Sequence, residues 1–219
     1  MHDRSLRFRD LLRETRLYAV TDDNLPAEDL VLVVDELLDA GVRLFQYRDK
    51  HASDATCLET ARALVRRIHA RGGLLIVNDR VDLAIVSGAD GAHLGQEDLP
   101  LAHGRAILGP DLILGASASY LHELPEAEQA GADYLGFGAV FATGTKTDAE
   151  YAGLDLLEQA CQLAALPVVG IGGITPERAP AVIERGADGV AVVSALFRAS
   201  DPRRAALQFL EALERGSPR

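Results

Sequence analysis

Eight short apolar runs, each followed by a stretch with apolar residues at helical spacing, predict the α/β class and a single (β/α)8 barrel, the TIM-barrel architecture. Two further observations support closure into one barrel. Gly88-Ala89-Asp90, Gly131-Ala132-Asp133 and Gly186-Ala187-Asp188 each close a helix and open a strand, with Ala40-Gly41-Val42 as a looser copy, so the pattern recurs every two βα units. No Gly-x-Gly-x-x-Gly follows the first strand, which counts against an open doubly wound sheet.

In chain order, residues 1–15 form an arginine-rich N-terminal extension or short helix, and residues 16–219 the barrel domain. The first strand is expected over 16–21 and its helix over 27–40, stopped by Gly41 in the usual C-terminal glycine position. The second strand covers 42–47, and Ser53 starts a helix that ends near Gly72 and Gly73. Residues 74–77 are a continuous apolar run, hence a strand buried on both faces. Further strands are expected at 91–94, 112–116, 134–137, 168–171 and 190–193. The helices between and after them cover 81–86, 101–108, 121–130, 154–163, 176–185 and about 203–214. The helix at 176–185 is read with Pro176 in its first turn.

The chain has 219 residues, of which 48% are hydrophobic and 25% charged, an ordinary balance for a globular domain with a large core. A net charge of −11 argues against nucleic acid as a broad-surface partner, while leaving room for local cations around an anionic substrate. Cys57 and Cys161 lie in helical patterns without metal-ligand spacing and read as buried, reduced and structural. No apolar run reaches the roughly 18 residues of a membrane span. The N-terminus carries acids and lacks an apolar core of the signal-peptide kind, so a cytoplasmic protein is the default expectation.

In such a barrel the carboxyl ends of the strands carry the chemistry. After the second strand, Gln46, Arg48 and Lys50 share one face with Leu44 and Val42. If those apolar residues fill the interior, the two cations point into the mouth, where their mutual repulsion calls for an anion. The third strand delivers Asn78 and Asp79, and the fourth leads to Asp98. Asn78 and Asp79 could simply cap the next helix. Two carboxylates beside a phosphate cluster also suit Mg²⁺, which takes one or two carboxylates plus phosphates and waters. The fifth strand ends at Ser117. The sixth runs into Thr143, Gly144, Thr145 and Lys146: hydroxyls, a permissive backbone and a cation that suit a phosphate, or else a solvated loop. Gly173 after the seventh strand, with Val193 and Ser194 after the eighth, occupies the place where barrels bind phosphate through backbone N–H groups. The six histidines are scattered; His93 sits in a strand that can line the barrel, and receives no catalytic role.

These motifs identify a resemblance. Tyr18-Ala19-Val20-Thr21-Asp22, Gln46-x-Arg48-Asp49-Lys50, the run from Val77 to Ala84, the run from His93 to Pro100, Gly136-Phe137-Gly138-x-Val140-Phe141-x-Thr143-x-Thr145-Lys146 and Gly170 to Ile174 resemble the thiamine-phosphate synthase (thiamine-phosphate pyrophosphorylase) family, from about Leu17 to Leu196. The resemblance implies a (β/α)8 barrel transferase that joins hydroxymethylpyrimidine diphosphate to a thiazole phosphate, giving thiamine phosphate and pyrophosphate. It implies Mg²⁺ at Asp79 and Asp98. It implies that Gln46, Tyr47, Arg48, Asp49, Lys50, Asn78, Ser117 and Lys146 hold the pyrimidine diphosphate, with Arg48, Ser117 and Lys146 acting on the leaving group. Thr143, Gly144, Thr145, Gly173, Val193 and Ser194 are implied to hold the thiazole phosphate. The partners are thus small molecules, with no nucleic acid and no membrane; a homo-oligomer is allowed.

This chain departs from the family pattern at Ser119, where relatives often carry histidine, and at Ala142 and Gly144, where they often carry proline. Two alternatives stand beside the synthase. A sister family isomerises the thiazole with a histidine in the sixth-strand stretch, which here reads Gly138-Ala139-Val140-Phe141. A non-catalytic binder of a phosphorylated metabolite would have lost metal or leaving-group residues, and none is missing.

Overall fold

The structure, a computed structural model, describes residues 3–142 and 152–215. Its strands are β1 (Leu17–Val20), β2 (Leu44–Tyr47), β3 (Leu74–Asn78), β4 (Gly91–Leu94), β5 (Ile113–Ala118), β6 (Tyr134–Gly138), β7 (Val168–Ile171) and β8 (Gly189–Val192). They pair in parallel and in sequence order, and β8 returns to β1 to close the barrel. The described helices are α1 (Asp3–Thr15), α2 (Ala27–Ala40), α3 (Asp54–Ala70), α4 (Val81–Ser87), α5 (Leu101–Leu108), α6 (Glu123–Gln129), α7 (Gly153–Leu163), α8 (Ala179–Glu184), α9 (Ser194–Phe197) and α10 (Pro202–Arg215).

Several boundaries shift by one or two residues, and two helices differ more from the expectation. Helix α8 begins at Ala179, because Arg178 and Ala179 both donate to the Thr175 carbonyl and make 176–178 a turn. The proline in its first turn is therefore Pro180. Helix α9 was not foreseen, since four residues are too short to show a helical period.

Strand alternation sorts the core into two layers. Tyr18, Val20, Leu44, Leu74, Ile76 and Tyr134 point inward with Ile113, Val169 and Ala191. Their neighbours Leu17, Ala19, Phe45, Tyr47, Leu75 and Val77 point outward and pack against the helices. Val42, expected inside, belongs to the outer layer. It precedes the strand and completes the stop of α2: Gly41 takes φ 110° and the Val42 amide donates to Leu37 O at 3.0 Å.

The Gly-Ala-Asp repeat is a strand clamp. The carboxylates of Asp90, Asp133 and Asp188 accept from the amides of Leu75, Leu114 and Val168 at 2.9, 2.9 and 2.8 Å. The amides of the same aspartates donate back to the carbonyls of those three residues. Each glycine supplies the positive φ that ends the preceding helix or turn, and each aspartate ties an even-numbered strand to the odd-numbered strand before it.

The arginine-rich extension docks. Helix α1 closes the amino end of the barrel with Phe8 and Leu12, both 1% exposed. The Phe8 ring stacks on Tyr134 at 4.4 Å and meets Tyr18 edge-on at 5.9 Å. Arg7 donates to Gly72 O, and Arg4 lies 3.6 Å from Asp90, so the cations face the loops around the plug. Both cysteines are free; Cys57 is buried, while Cys161 is only partly so. Burial pushes the Cys161 thiol up to about 12, with Asp188 and Glu158 adding to the effect, which leaves it unreactive.

Phe8→Ala leaves a cavity under the barrel floor and is expected to lower stability by about 3–5 kcal/mol in urea unfolding. A loss under about 1 kcal/mol would show that α1 does not support the barrel.

Candidate active site

A cavity of about 200 Å³ opens at the carboxyl ends of the strands. Of the residues the sequence assigned to a site, Gln46, Arg48, Asn78, Ser117, Gly173, Val193 and Ser194 line it. They converge because each continues the inward phase of its strand or begins the loop after it. Thr143, Gly144, Thr145 and Lys146 lie outside the described residues.

The β2 end departs from the expected pattern. Tyr47 follows the outward phase, so its side chain is buried against the helical layer and does not face the cavity. The Asp49 carboxylate is occupied by the amides of His51 and Ala52, both at 2.9 Å, and shapes the loop. Arg48 keeps the inward phase, but its guanidinium is paired with Asp23 at 2.5 Å. Lys50 is paired with Asp79 at 3.3 Å. The protein's own carboxylates thus offset the repulsion between the two cations, and an incoming anion would compete with Asp23 for Arg48. The Thr21 hydroxyl donates to the Arg48 carbonyl and accepts from its amide, fixing the arginine backbone.

Next to Asn78, Asp79 has a left-handed backbone, φ 62°, which an aspartate tolerates better than most residues. Its carboxyl lies close enough to that of Asp98 for the two to influence each other's charge. Burial holds the Asp79 carboxyl above the usual range; the nearby Asp98 carboxylate adds to this, and Lys50 opposes it. Asp98 is oriented by the Gly95 amide at 2.7 Å. Two adjoining, partly desolvated carboxylates are a donor set that fits a hard divalent cation completed by phosphate and water oxygens. Among the described residues, no group of three or more His, Cys, Asp or Glu gathers into a closed metal cage.

On the opposite side, Gly172 and Gly173 take φ 103° and 62°. A Cβ at Gly172 would lie 2.7 Å from Ala139 Cβ, and one at Gly173 would lie 2.5 Å from Ala142 O. The glycine pair therefore lets the β6 and β7 loops run side by side, joined by Phe141 N to Gly172 O at 3.0 Å. Arg178 braces this ledge, donating to Gly173 O at 2.9 Å with its guanidinium 5.0 Å from the centre of the Phe141 ring. Val193 and Ser194 lead into α9, whose end is tied to the first loop by Arg198 and the buried Asp22. Burial works against the Asp22 carboxylate, but hydrogen bonds from Arg198 and Asn24 outweigh it and hold its pKa below the usual value.

Sequence reasoning left out the cavity floor. His93 lines it, with Nδ1 2.9 Å from the Tyr134 hydroxyl and Nε2 2.9 Å from Ser117 Oγ. Tyr134 lies 2.9 Å from the Tyr18 hydroxyl, which accepts from Gln46 at 3.2 Å. The inward phase of His93, and the glycines at 115 and 136 on the neighbouring strands, were the available signals. Ser119 lines the cavity too, and its hydroxyl donates to Gly138 O at 2.9 Å.

Fold and site define a (β/α)8 barrel with a polar, charged mouth at the carboxyl ends of its strands. The chain belongs to the thiamine monophosphate synthase family, whose model matches residues 17–196. It is 47% identical over 204 residues to the thiamine-phosphate synthase of Synechococcus sp. (strain WH7803), covering 92% of this chain and 58% of that one. It is 48% identical over 192 residues to the thiamine-phosphate synthase of Azorhizobium caulinodans (strain ORS 571 among its designations), covering 87% of this chain and 91% of that one. Among solved structures, the thiamine phosphate pyrophosphorylase from Pyrococcus furiosus superimposes with a TM-score of 0.87 at 39% identity, covering 94% of this chain and 98% of that one. The chain spans only about half the length of the first curated relatives it matches: 58%, 41% and 54%.

The carboxylate pair yields a stability prediction. The folded state raises the Asp79 carboxyl above its unfolded value, so the stability it contributes is present below the unfolded pKa and is lost as pH rises through the raised, folded-state pKa. Asp79→Asn is therefore expected to melt above the parent in EDTA at neutral pH, with the gap closing in acid. A lower melting temperature at neutral pH would mean that the Lys50 pair outweighs burial and Asp98.

Proposed function

We propose that the protein is a thiamine-phosphate synthase. It would condense 4-amino-2-methyl-5-hydroxymethylpyrimidine diphosphate with 4-methyl-5-(2-phosphoethyl)thiazole to thiamine phosphate and pyrophosphate, or with its carboxylated form to the same products plus carbon dioxide. The observation that carries this reading is the convergence of Arg48, Asn78 and Ser117 on one barrel mouth beside the Asp79–Asp98 pair, in a chain of this family.

The chemistry asked of the site is limited. The carbon–oxygen bond of the pyrimidine diphosphate breaks, the pair of electrons leaves with the pyrophosphate, and the thiazole nitrogen adds to the pyrimidine-methyl cation. Electrostatic stabilisation of the leaving group and positioning of the nucleophile then suffice. Arg48 would exchange Asp23 for a diphosphate oxygen, and Ser117 would donate a hydrogen bond to the same group. Lys146 is assigned to the diphosphate by the resemblance. Asp79 and Asp98 would hold Mg²⁺, which, when bound, offsets charge on the departing pyrophosphate. The backbone amides at Gly173 and at Val193–Ser194, with Thr143, Gly144 and Thr145, would hold the thiazole phosphate. Ala139, which lines the cavity, occupies the place where the isomerising relatives would carry histidine, and this disfavours the tautomerase reading. A non-catalytic binder is disfavoured because the proposed metal and leaving-group residues are all present. No described helix is long and apolar enough to cross a membrane; a cytoplasmic location and a homo-oligomeric state are further parts of the proposal.

Mixing the protein with the pyrimidine diphosphate, the thiazole phosphate and Mg²⁺ is expected to yield thiamine phosphate, and EDTA to suppress it. No product from folded protein would contradict the reading. Ser117→Ala is expected to lower turnover about 10²-fold, the scale of one donor to developing negative charge. Asp79→Ala is expected to lose activity most severely at limiting Mg²⁺; parental activity there would exclude Asp79 as a ligand.

A further inference from the structure

The floor of the cavity is one continuous hydrogen-bond chain crossing the barrel from β2 to β5. Gln46 Nε2 lies 3.2 Å from the Tyr18 hydroxyl, Tyr18 2.9 Å from the Tyr134 hydroxyl, Tyr134 2.9 Å from His93 Nδ1, and His93 Nε2 2.9 Å from Ser117 Oγ. Its members are enclosed: Tyr18 is 2% exposed, Tyr134 0% and His93 7%. The space for it is made by missing side chains. A Cβ on Gly115 would lie 2.3 Å from the Tyr134 ring and 2.4 Å from His93 Nδ1, and one on Gly136 would lie 3.2 Å from the His93 ring. Phe8 seals it from below by stacking on Tyr134.

The chain has a direction, and one end sets it. An amide nitrogen can only donate, so the Tyr18 hydroxyl accepts from Gln46; Tyr134 is then the acceptor in reach for the buried Tyr18 proton, and the arrangement that satisfies it has Tyr18 donate to Tyr134. Tyr134 then gives its own to His93 Nδ1. Burial raises both phenols, Tyr18 and Tyr134, above their ordinary range, so both keep the proton this requires. An accepting Nδ1 leaves the imidazole proton on Nε2, where it is donated to Ser117 Oγ. The serine oxygen is thereby supplied with a donor from below, and its own proton turns to the cavity.

We propose that this chain makes Ser117 a hydrogen-bond donor toward the ligand, with His93, Tyr134 and Tyr18 as positioning residues. The proposal rests on the synthase reading only for the identity of the ligand, the departing diphosphate. Donation to a group that gains negative charge as its bond breaks strengthens in the transition state. Loss of the chain therefore lowers the rate of the chemical step more than it weakens binding.

The test has two arms. In protein with ¹⁵N-labelled histidine, the two-bond ¹H–¹⁵N spectrum reads which ring nitrogen carries the proton; among the six histidines, His93 is assigned by its absence in His93→Gln. Free protein is expected to show the proton on Nε2 alone, and a proton on Nδ1 overturns the proposal. In single-turnover assays Tyr134→Phe is expected to lower the rate about tenfold, below the full cost of losing a donor, with KM for the pyrimidine diphosphate unchanged. The same change is expected to cost nothing further when Ser117 is already alanine. An equal loss in both backgrounds, or no loss in either, overturns the proposal. Absence of product from the unaltered protein would instead be a failure of the synthase reading, and the nitrogen spectrum, which needs no turnover, would still judge the chain.

Discussion

The interior of a closed eight-stranded barrel is only wide enough for side chains to fill it, and each strand offers every second residue to that space. This constraint governs the molecule. It sends Leu44 and Gln46 inward and Phe45 and Tyr47 outward from one short strand. It admits the large rings of His93 and Tyr134 only because Gly115 and Gly136 present none. The interior is consequently layered. Phe8 and Leu12 close the amino end, a polar layer of tyrosine, histidine and glutamine lies above them, and the cavity opens toward the strand ends.

Charge in the mouth is distributed in pairs. Arg48 rests on Asp23, Lys50 on Asp79, and Arg198 on Asp22. Paired side chains of this kind are held in place before a ligand arrives, so less ordering has to accompany binding. The Asp79–Asp98 contact is the exception, since it sets two carboxylates together where burial already penalises charge. Such a pair lowers the stability of the free protein and suits a cation, a trade of stability for function seen at many binding sites.

Much of the fold was legible because it depends on local pattern. Helix α2 and strands β4 and β7 begin and end where apolar spacing, Gly41 and the Gly-Ala-Asp turns placed them. The repeat was visible as composition, but its role as a clamp was not, since it joins residues such as Leu75 and Asp90 that pair only once two strands lie side by side. Helix α9 was too short to leave a period, and the turn at residues 176–178 hid behind a proline that also suits a first helical turn.

The site was legible where it sits in contiguous motifs, as at Gln46, Arg48, Asn78 and Ser117, and not where it depends on packing. Tyr47 and Asp49 shared a motif with Arg48, yet strand phase and loop capping turn their side chains to other tasks. The floor chain links residues up to 116 positions apart, and in the sequence Tyr18 and Tyr134 look like core aromatics. In the proposed reaction a divalent cation held by Asp79 and Asp98 would tie the diphosphate to the barrel mouth. Calorimetric titration with the pyrimidine diphosphate tests it most directly. The account predicts strong binding with Mg²⁺ that is lost in EDTA and in Asp98→Ala, whereas equal affinity with and without Mg²⁺ would contradict it.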